Sequence, residues 1–196
     1  MMILILSKVT YFNIKGKQPR QISLYQGLPN PVPIPISRTN KVLGLTIDNH
    51  LRFNVHITEK VAIAARALSS LERFRDSSRK TKLHLYKALI LPLITYCPLA
   101  LSLSARTNLL KLQRIQNRAL RFVCGAKWHD FRTSLSLHEE SAVSPINITL
   151  HNRITKHLTT FPDRHPDTYH FINTLPTYLR SNLLEPPHTI PDPIYR

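Results

Sequence analysis

Leu109–Val123 reads LLKLQRIQNRALRFV, and its pattern decides what kind of fold this chain builds. On a helix turning about 100° per residue, Leu109, Leu112, Ile115, Ala119, Leu120, Phe122 and Val123 fall on one side. Lys111, Arg114, Arg118 and Arg121 gather in a narrow arc on the other. Such a helix buries one face and offers a row of cations to whatever the other face meets. A polyanion is the natural candidate.

Working outward, the helix runs from about Ala105 to Cys124 and is stopped by Gly125. Before it, Leu85–Leu101 is too short for a membrane span and carries Lys87, Pro92 and Pro98, so it reads as a core helix kinked at Pro92. That helix begins after Ser78. Further back, Asn54 caps a helix over Val55–Arg75, where Ile57, Val61, Ala64, Ala65, Leu68, Leu71 and Phe74 recur at three and four. Downstream, Ser144-Pro145 opens a helix over Pro145–Thr160, with Ile146, Leu150, Ile154 and Leu158 in line. Between the two, Trp128 and Phe131 lie in a loop, the Trp read as capping a core in preference to stacking on a base.

The N-terminal part has a different character. Ile3–Ile14 is β-branched and aromatic and reads as a strand. Pro19, Pro29, Pro31, Pro33 and Pro35 make Gly16–Pro35 an extended connector with one short strand at Gln21–Tyr25. VLGLTID, Val42–Asp48, reads as a single strand with Gly44 marking a bulge or close backbone approach, after which Asp48-Asn49 turns the chain. From Phe161 onward seven prolines mark a tail. The expected fold is therefore mainly α: a bundle of about four helices preceded by a short β-hairpin or sheet edge, with a Pro-rich irregular tail. The expected divisions are 1–15, 16–40, 41–160 and 161–196.

The 196 residues carry 27 Lys and Arg against 11 Asp and Glu, a net charge of +16, and 42% apolar residues, enough for a core. The cations sit on helix faces among Gln and Asn, which favours nucleic acid over a membrane surface. Between Ala105 and Arg132 seven basic residues face a single acidic one, Asp130, so the stripe lacks the i+4 carboxylates that usually neutralise a solvated helix face. Cys97 and Cys124 cannot make a disulfide framework or a four-ligand zinc site, and read as buried thiols in a reducing, intracellular compartment, cytoplasmic or nuclear.

Catalytic patterns are missing. Asp48, Asp76, Asp130, Asp163, Asp167 and Asp192 give no adjacent pair for two-metal phosphoryl chemistry. His138-Glu139-Glu140 has no second histidine at helical spacing and reads as a solvated loop, while His151, His157, His165 and His170 are scattered. Four glycines are too few and too dispersed for a phosphate loop. On residues alone this is a non-catalytic basic helical module without catalytic, cofactor or metal residues.

The order of VLGLTID, LRFNVHI, AARAL, LYKALILPLITYC, LLKLQRIQNRALRFVCGAKW and SLHEESAVSPI resembles the region after the polymerase palm in reverse transcriptases of non-LTR (LINE-type) retrotransposons, most like the jockey group. The resemblance runs from about Leu6 to Pro162 and implies a thumb with the last edge of a palm, 1–15 being the palm-edge strand that carries Lys8. It further implies a primer-grip-like turn at Leu43, Gly44 and Asp48, and backbone contacts from Lys87, Lys111, Gln113, Arg114, Asn117, Arg118 and Arg121. The family often has Tyr-Gly where this chain has Tyr96-Cys97-Pro98, a departure that suggests a drifting copy.

The family's catalytic aspartates have no counterpart here, so Mg2+ and polymerisation belong only to the intact enzyme. The resemblance thus implies a truncated, polymerase-inactive remnant of an RNA-directed DNA polymerase that holds RNA, DNA or their hybrid without sequence preference. Two alternatives stand beside it: a small nucleic-acid-binding protein using the same stripe, and a protein-interaction module whose apolar face meets a palm or another partner.

Overall fold

The structure, a computed structural model, describes residues 22–24, 32–34, 36–127 and 129–164. The expected strand at Ile3–Ile14 with Lys8, the Trp128 ring and the tail from 165 onward lie outside the described residues. Two compact units divide the chain, Met1–His56 and Ile57–Arg196.

The first unit is β-rich. β1 (Ile22–Leu24) pairs antiparallel with β2 (Val32–Ile34), Ser23 opposite Pro33. Proline is admissible in β2 because a two-stranded ladder has only edge strands. β3 (Thr39–Val42) and β4 (Leu45–Asp48) form a second antiparallel pair, with Val42 opposite Leu45 and Thr39 opposite Asp48. Val42–Asp48 is thus not one bulged strand. Leu43 and Gly44 take φ of 48° and 81°, the double positive φ of a two-residue hairpin turn, and Gly44 supplies the half of it that costs nothing.

Asp48 organises the loop after β4. Its carboxylate accepts from the backbone N–H of His50, Arg52 and Phe53 at 3.0, 3.0 and 2.6 Å. Those bonds hold a loop in which Leu51 and Phe53 both sit at positive φ. His56, the buried last residue of this unit, accepts from Thr46 N–H through Nδ1 at 3.2 Å.

The second unit is helical. α1 (Asn54–Leu71) buries Ile57, Ala64, Leu68 and Leu71 and ends in a 3-10 turn at Glu72–Phe74. α2 (Arg79–Leu85) begins at Ser78, whose hydroxyl accepts from Thr81 N–H as an N-cap should. The expected kink appears one turn early. Residues Tyr86–Ile90 form a π-turn, with Leu91 N–H reaching Tyr86 O, and α3 (Leu91–Ile94) follows. Pro92 has no N–H and crowds the carbonyl four residues back, so the widened turn sits just N-terminal to it.

Leu85–Leu101 is not one helix. Cys97 adopts φ 56° and Pro98 starts a new helix, α4 (Pro98–Ser102), at its first position. α5 (Arg106–Cys124) ends as the sequence predicts. Gly125, at φ 67°, donates to Phe122 O and Ala126 N–H donates to Arg121 O, the paired bonds of a Schellman motif.

α6 (Ser134–Ser141) is a correction: it contains His138-Glu139-Glu140, expected as loop. Thr133 caps it by accepting from Ser136 N–H at 3.2 Å, and Ala142 closes it at φ 52°. Its signals were local caps and not periodicity, since Leu137 is its one buried apolar side chain. α7 (Ile146–Arg164) buries Ile146, Leu150 and Ile154. No described helix is long and apolar enough to cross a membrane.

Candidate nucleic-acid interface

α5 is the element to which α2, α3, the π-turn, α6 and α7 all pack. Leu112, Ala119, Leu120 and Val123 are fully enclosed on its inner side, while Arg114 and Arg118 are exposed on the outer one. Lys111 and Arg121 are half-buried at the margins. The division expected from the pattern is therefore present for all four cations.

The two amides expected on that outer face are not there. Gln113 is 4% and Asn117 1% exposed. Gln113 Nε2 donates to Asn117 Oδ1 at 2.7 Å and lies 2.9 Å from His138 Nε2, and its Oε1 accepts from Ile146 N–H at 3.0 Å. Ser134 Oγ adds a bond to Asn117 Oδ1 at 3.2 Å. His138 Nδ1 is 2.7 Å from Val143 O, which requires a proton on Nδ1 and leaves Nε2 to accept from Gln113.

The same device recurs one turn along. Gln116 Nε2 donates to Tyr86 Oη at 3.1 Å and to Ser144 O at 3.0 Å. Gln113 thus satisfies an otherwise orphaned N–H at the start of α7, and both glutamines hold the α6–α7 turn against α5. The amides are core fasteners that fix how the basic face is presented.

Arg121 is engaged too. Its guanidinium donates to Lys127 O and, at 2.9 Å, to Asp130 O, pinning the loop after α5. Lys82 is buried beneath the same helix end, with Nζ 3.3 Å from Arg75 O and 5.8 Å from the Phe122 ring centroid. Cations suit this place, where the last carbonyls of α5 concentrate partial negative charge. Beside them Leu68, Phe122 and Ala126 floor a cleft of about 430 Å3 whose rim carries Arg75, Arg118 and Lys127.

Other cations are neutralised. Arg79 lies 3.7 Å from Glu140, Arg132 pairs closely with the same carboxylate, and Arg75 pairs with Glu72 at 2.7 Å. Near the Glu140 cluster, burial and then the Glu140 charge push the Cys124 thiol above its usual range. Burial likewise raises Tyr86 to about 12, against a smaller lowering by the Gln116 hydrogen bond. What remains for an outside anion on α5 is Arg106 at its start and Arg114 and Arg118 along it, flanked by Lys111.

Lys87 is exposed on the π-turn, away from the α5 stripe and beside Arg153 and Lys156 of α7. Those two cations were not among the expected contacts, although their i, i+3 spacing on an amphipathic helix was readable. Leu43 and Gly44 form a hairpin turn with the Leu43 side chain 91% exposed, and Asp48 is engaged with backbone N–H groups. Among the described residues no three His, Cys, Asp or Glu side chains gather as metal ligands would.

Over 160 residues, 78% of its length, the chain is 28% identical to the probable RNA-directed DNA polymerase from transposon X-element of Drosophila melanogaster. It is 29% identical over 96 residues, 45% of its length, to the RNA-directed DNA polymerase from mobile element jockey of the same species. The chain is homologous to a jockey-like reverse transcriptase region. It spans 16% and 10% of those two polymerases' lengths. No family model and no solved structure matches it. Cys97 holds a left-handed φ of 56°, a conformation that glycine adopts freely and a side chain does not.

Proposed function

We propose that this reverse transcriptase region acts as a thumb, holding a template–primer duplex by its phosphate backbone through Arg114, Arg118 and Lys111. The observation that carries the reading is the state of Arg114 and Arg118. Both are exposed, and neither has an ion-pair or hydrogen-bond partner among the described residues, on a helix whose orientation is locked by Gln113 and Gln116. Contacts of that kind position a duplex without reading its bases. The chain has no adjacent aspartate pair, so the reading assigns bond formation to a separate catalytic palm with Mg2+ and polymerase-inactive gripping to these residues.

The test is binding of the full chain to a labelled RNA–DNA hybrid across a salt series, with Mg2+-dependent primer extension run beside it. Each duplex phosphate neutralised contributes about 0.9 to the slope of log affinity against log salt. Three contacts give about 2.7, or roughly a 40-fold loss of affinity between 50 and 200 mM salt. Arg114→Glu with Arg118→Glu removes about 1.8 of that slope. A slope unchanged by the double reversal in a folded protein sinks the proposal, and extension by the wild-type chain sinks its polymerase-inactive part.

A protein-interaction reading has its own support in Phe131, fully exposed, and Leu135, 65% exposed one turn away. It predicts a concentration-dependent oligomer that is indifferent to salt and is lost in Phe131→Ser.

A further inference from the structure

The cleft at the C-terminal end of α5 joins the cationic stripe to an apolar recess. Arg118 belongs to both: it stands one turn beyond Arg114 on the exposed face of the helix, and it also lines the cleft. The volume of about 430 Å3 falls within the ~300–1,000 Å3 of ordinary small-molecule pockets. Leu68 and Phe122, 1% and 9% exposed, form its floor with Ala126, and Gly125 contributes bare backbone.

Most of the charges around this recess are already engaged. Arg121 donates to Lys127 O and Asp130 O, Glu72 pairs with Arg75 at 2.7 Å, and His129 lies 3.8 Å from Asp130. Two cations are left over. Arg118 and Lys127 are exposed, and neither the guanidinium nor the ammonium has an ion-pair or hydrogen-bond partner among the described residues.

That arrangement selects a ligand with an uncharged body and an anionic arm. The carbonyls at the end of α5 give the interior partial negative charge, which opposes the entry of a phosphate, and the half-buried Arg121 already directs its guanidinium to carbonyls. A nucleobase meets both conditions. Its faces are apolar enough to rest on Leu68 and Phe122, its amino and imino edges donate where carbonyls gather, and its phosphate stays outside with Arg118 and Lys127. An acidic peptide supplies the anions without the uncharged ring. A strand held along Arg114 and Arg118 reaches the cleft with its next nucleotide, because the second of those arginines is already part of the rim.

We propose that this cleft receives the base of an unpaired nucleotide at the end of the duplex held on α5, with the phosphate of that nucleotide contacting Arg118 and Lys127 at the rim. It deepens the thumb reading and rests on it for the strand's approach.

The experiment uses the full chain and three labelled RNA–DNA hybrids: blunt, extended by one unpaired nucleotide, and extended by one abasic nucleotide that keeps the sugar and phosphate. In wild type the base-bearing extension binds roughly five- to tenfold tighter than the abasic one, the low end of what one base contributes by resting on an aromatic side chain. Both extensions steepen the salt slope equally, by about 0.7, because they add the same phosphate. In Ala126→Leu, which fills the floor and leaves the stripe untouched, the advantage of the base disappears while blunt-hybrid binding stays as in wild type. Ala126→Val replaces it if the larger side chain unfolds the chain.

Three results overturn the cleft: an abasic extension bound as tightly as the base-bearing one, an advantage of the base that survives in the folded variant, or polyaspartate erasing that advantage as effectively as a free nucleoside monophosphate. Blunt binding that ignores Arg114→Glu strikes the thumb reading alone, since Arg114 does not line the cleft, and the base-to-abasic comparison still decides the cleft. A folded chain that binds none of the three hybrids overturns both.

Discussion

Gln113 and Arg114 are neighbours in sequence with opposite roles, and alanine at each separates them. Gln113→Ala strips an acceptor from the buried Ile146 N–H at 3.0 Å and the donor shared with Asn117 at 2.7 Å and His138 at 2.9 Å. An orphaned buried N–H costs about 1–3 kcal/mol, and each lost net bond about 1. The sum is roughly 3–5 kcal/mol, a large share of the stability of a domain this size.

In urea, with an m-value of about 2 kcal/mol/M, the midpoint falls by roughly 1.5–2.5 M. Hybrid binding by the folded variant keeps its wild-type salt slope. Arg114→Ala does the reverse, shifting stability by no more than about 0.5 kcal/mol while lowering the slope by about 0.9. A Gln113→Ala protein that loses less than about 1 kcal/mol and also loses slope refutes the assignment of Gln113 to the core.

Backbone strain and burial give two further outcomes. Cys97→Gly relieves a left-handed non-glycine residue that costs about 1–2 kcal/mol, offset in part by glycine's greater freedom when unfolded. A net gain of roughly 0.5–1 kcal/mol is expected, visible as a rise in melting temperature of a few degrees, and a fall instead would mean that the half-buried thiol packs more than it strains. Tyr86 is raised from 10.0 to about 12 in the folded chain, so the folded state keeps a proton the unfolded state releases. Its contribution is complete below pH 10 and is lost as pH climbs toward 12, at up to about 1.4 kcal/mol per pH unit. Tyr86→Phe flattens the stability curve in that window relative to wild type, and parallel curves would contradict the burial.

The elements with strong periodicity were legible from residue pattern alone. α5 and its Gly125 stop, α7 after Ser144-Pro145 and the Ser78 cap all come from where apolar residues recur and where a glycine or hydroxyl stands. The segments that were not legible lacked those cues. α6 has one buried leucine and relies on Thr133, and the Leu43–Gly44 turn places a leucine where positive φ is unusual. The Leu85–Leu101 stretch is uniformly apolar, so its pattern could not report the breaks at Tyr86–Ile90 and Cys97.

By itself the sequence determined the charge excess, the helical class, the cationic face of α5 and the resemblance to reverse transcriptases, because these depend on residue type at fixed spacing. Only the tertiary structure decided which polar side chains remain available. Gln113 and Asn117 vanish into the core because α6 and α7 close over them, Arg121 is taken up by the carbonyls of residues 127 and 130, and Lys87 comes to line one surface depression with Arg153 of α7. Periodicity describes one helix at a time, whereas a hydrogen-bond partner or a converging charge arrives from another part of the chain.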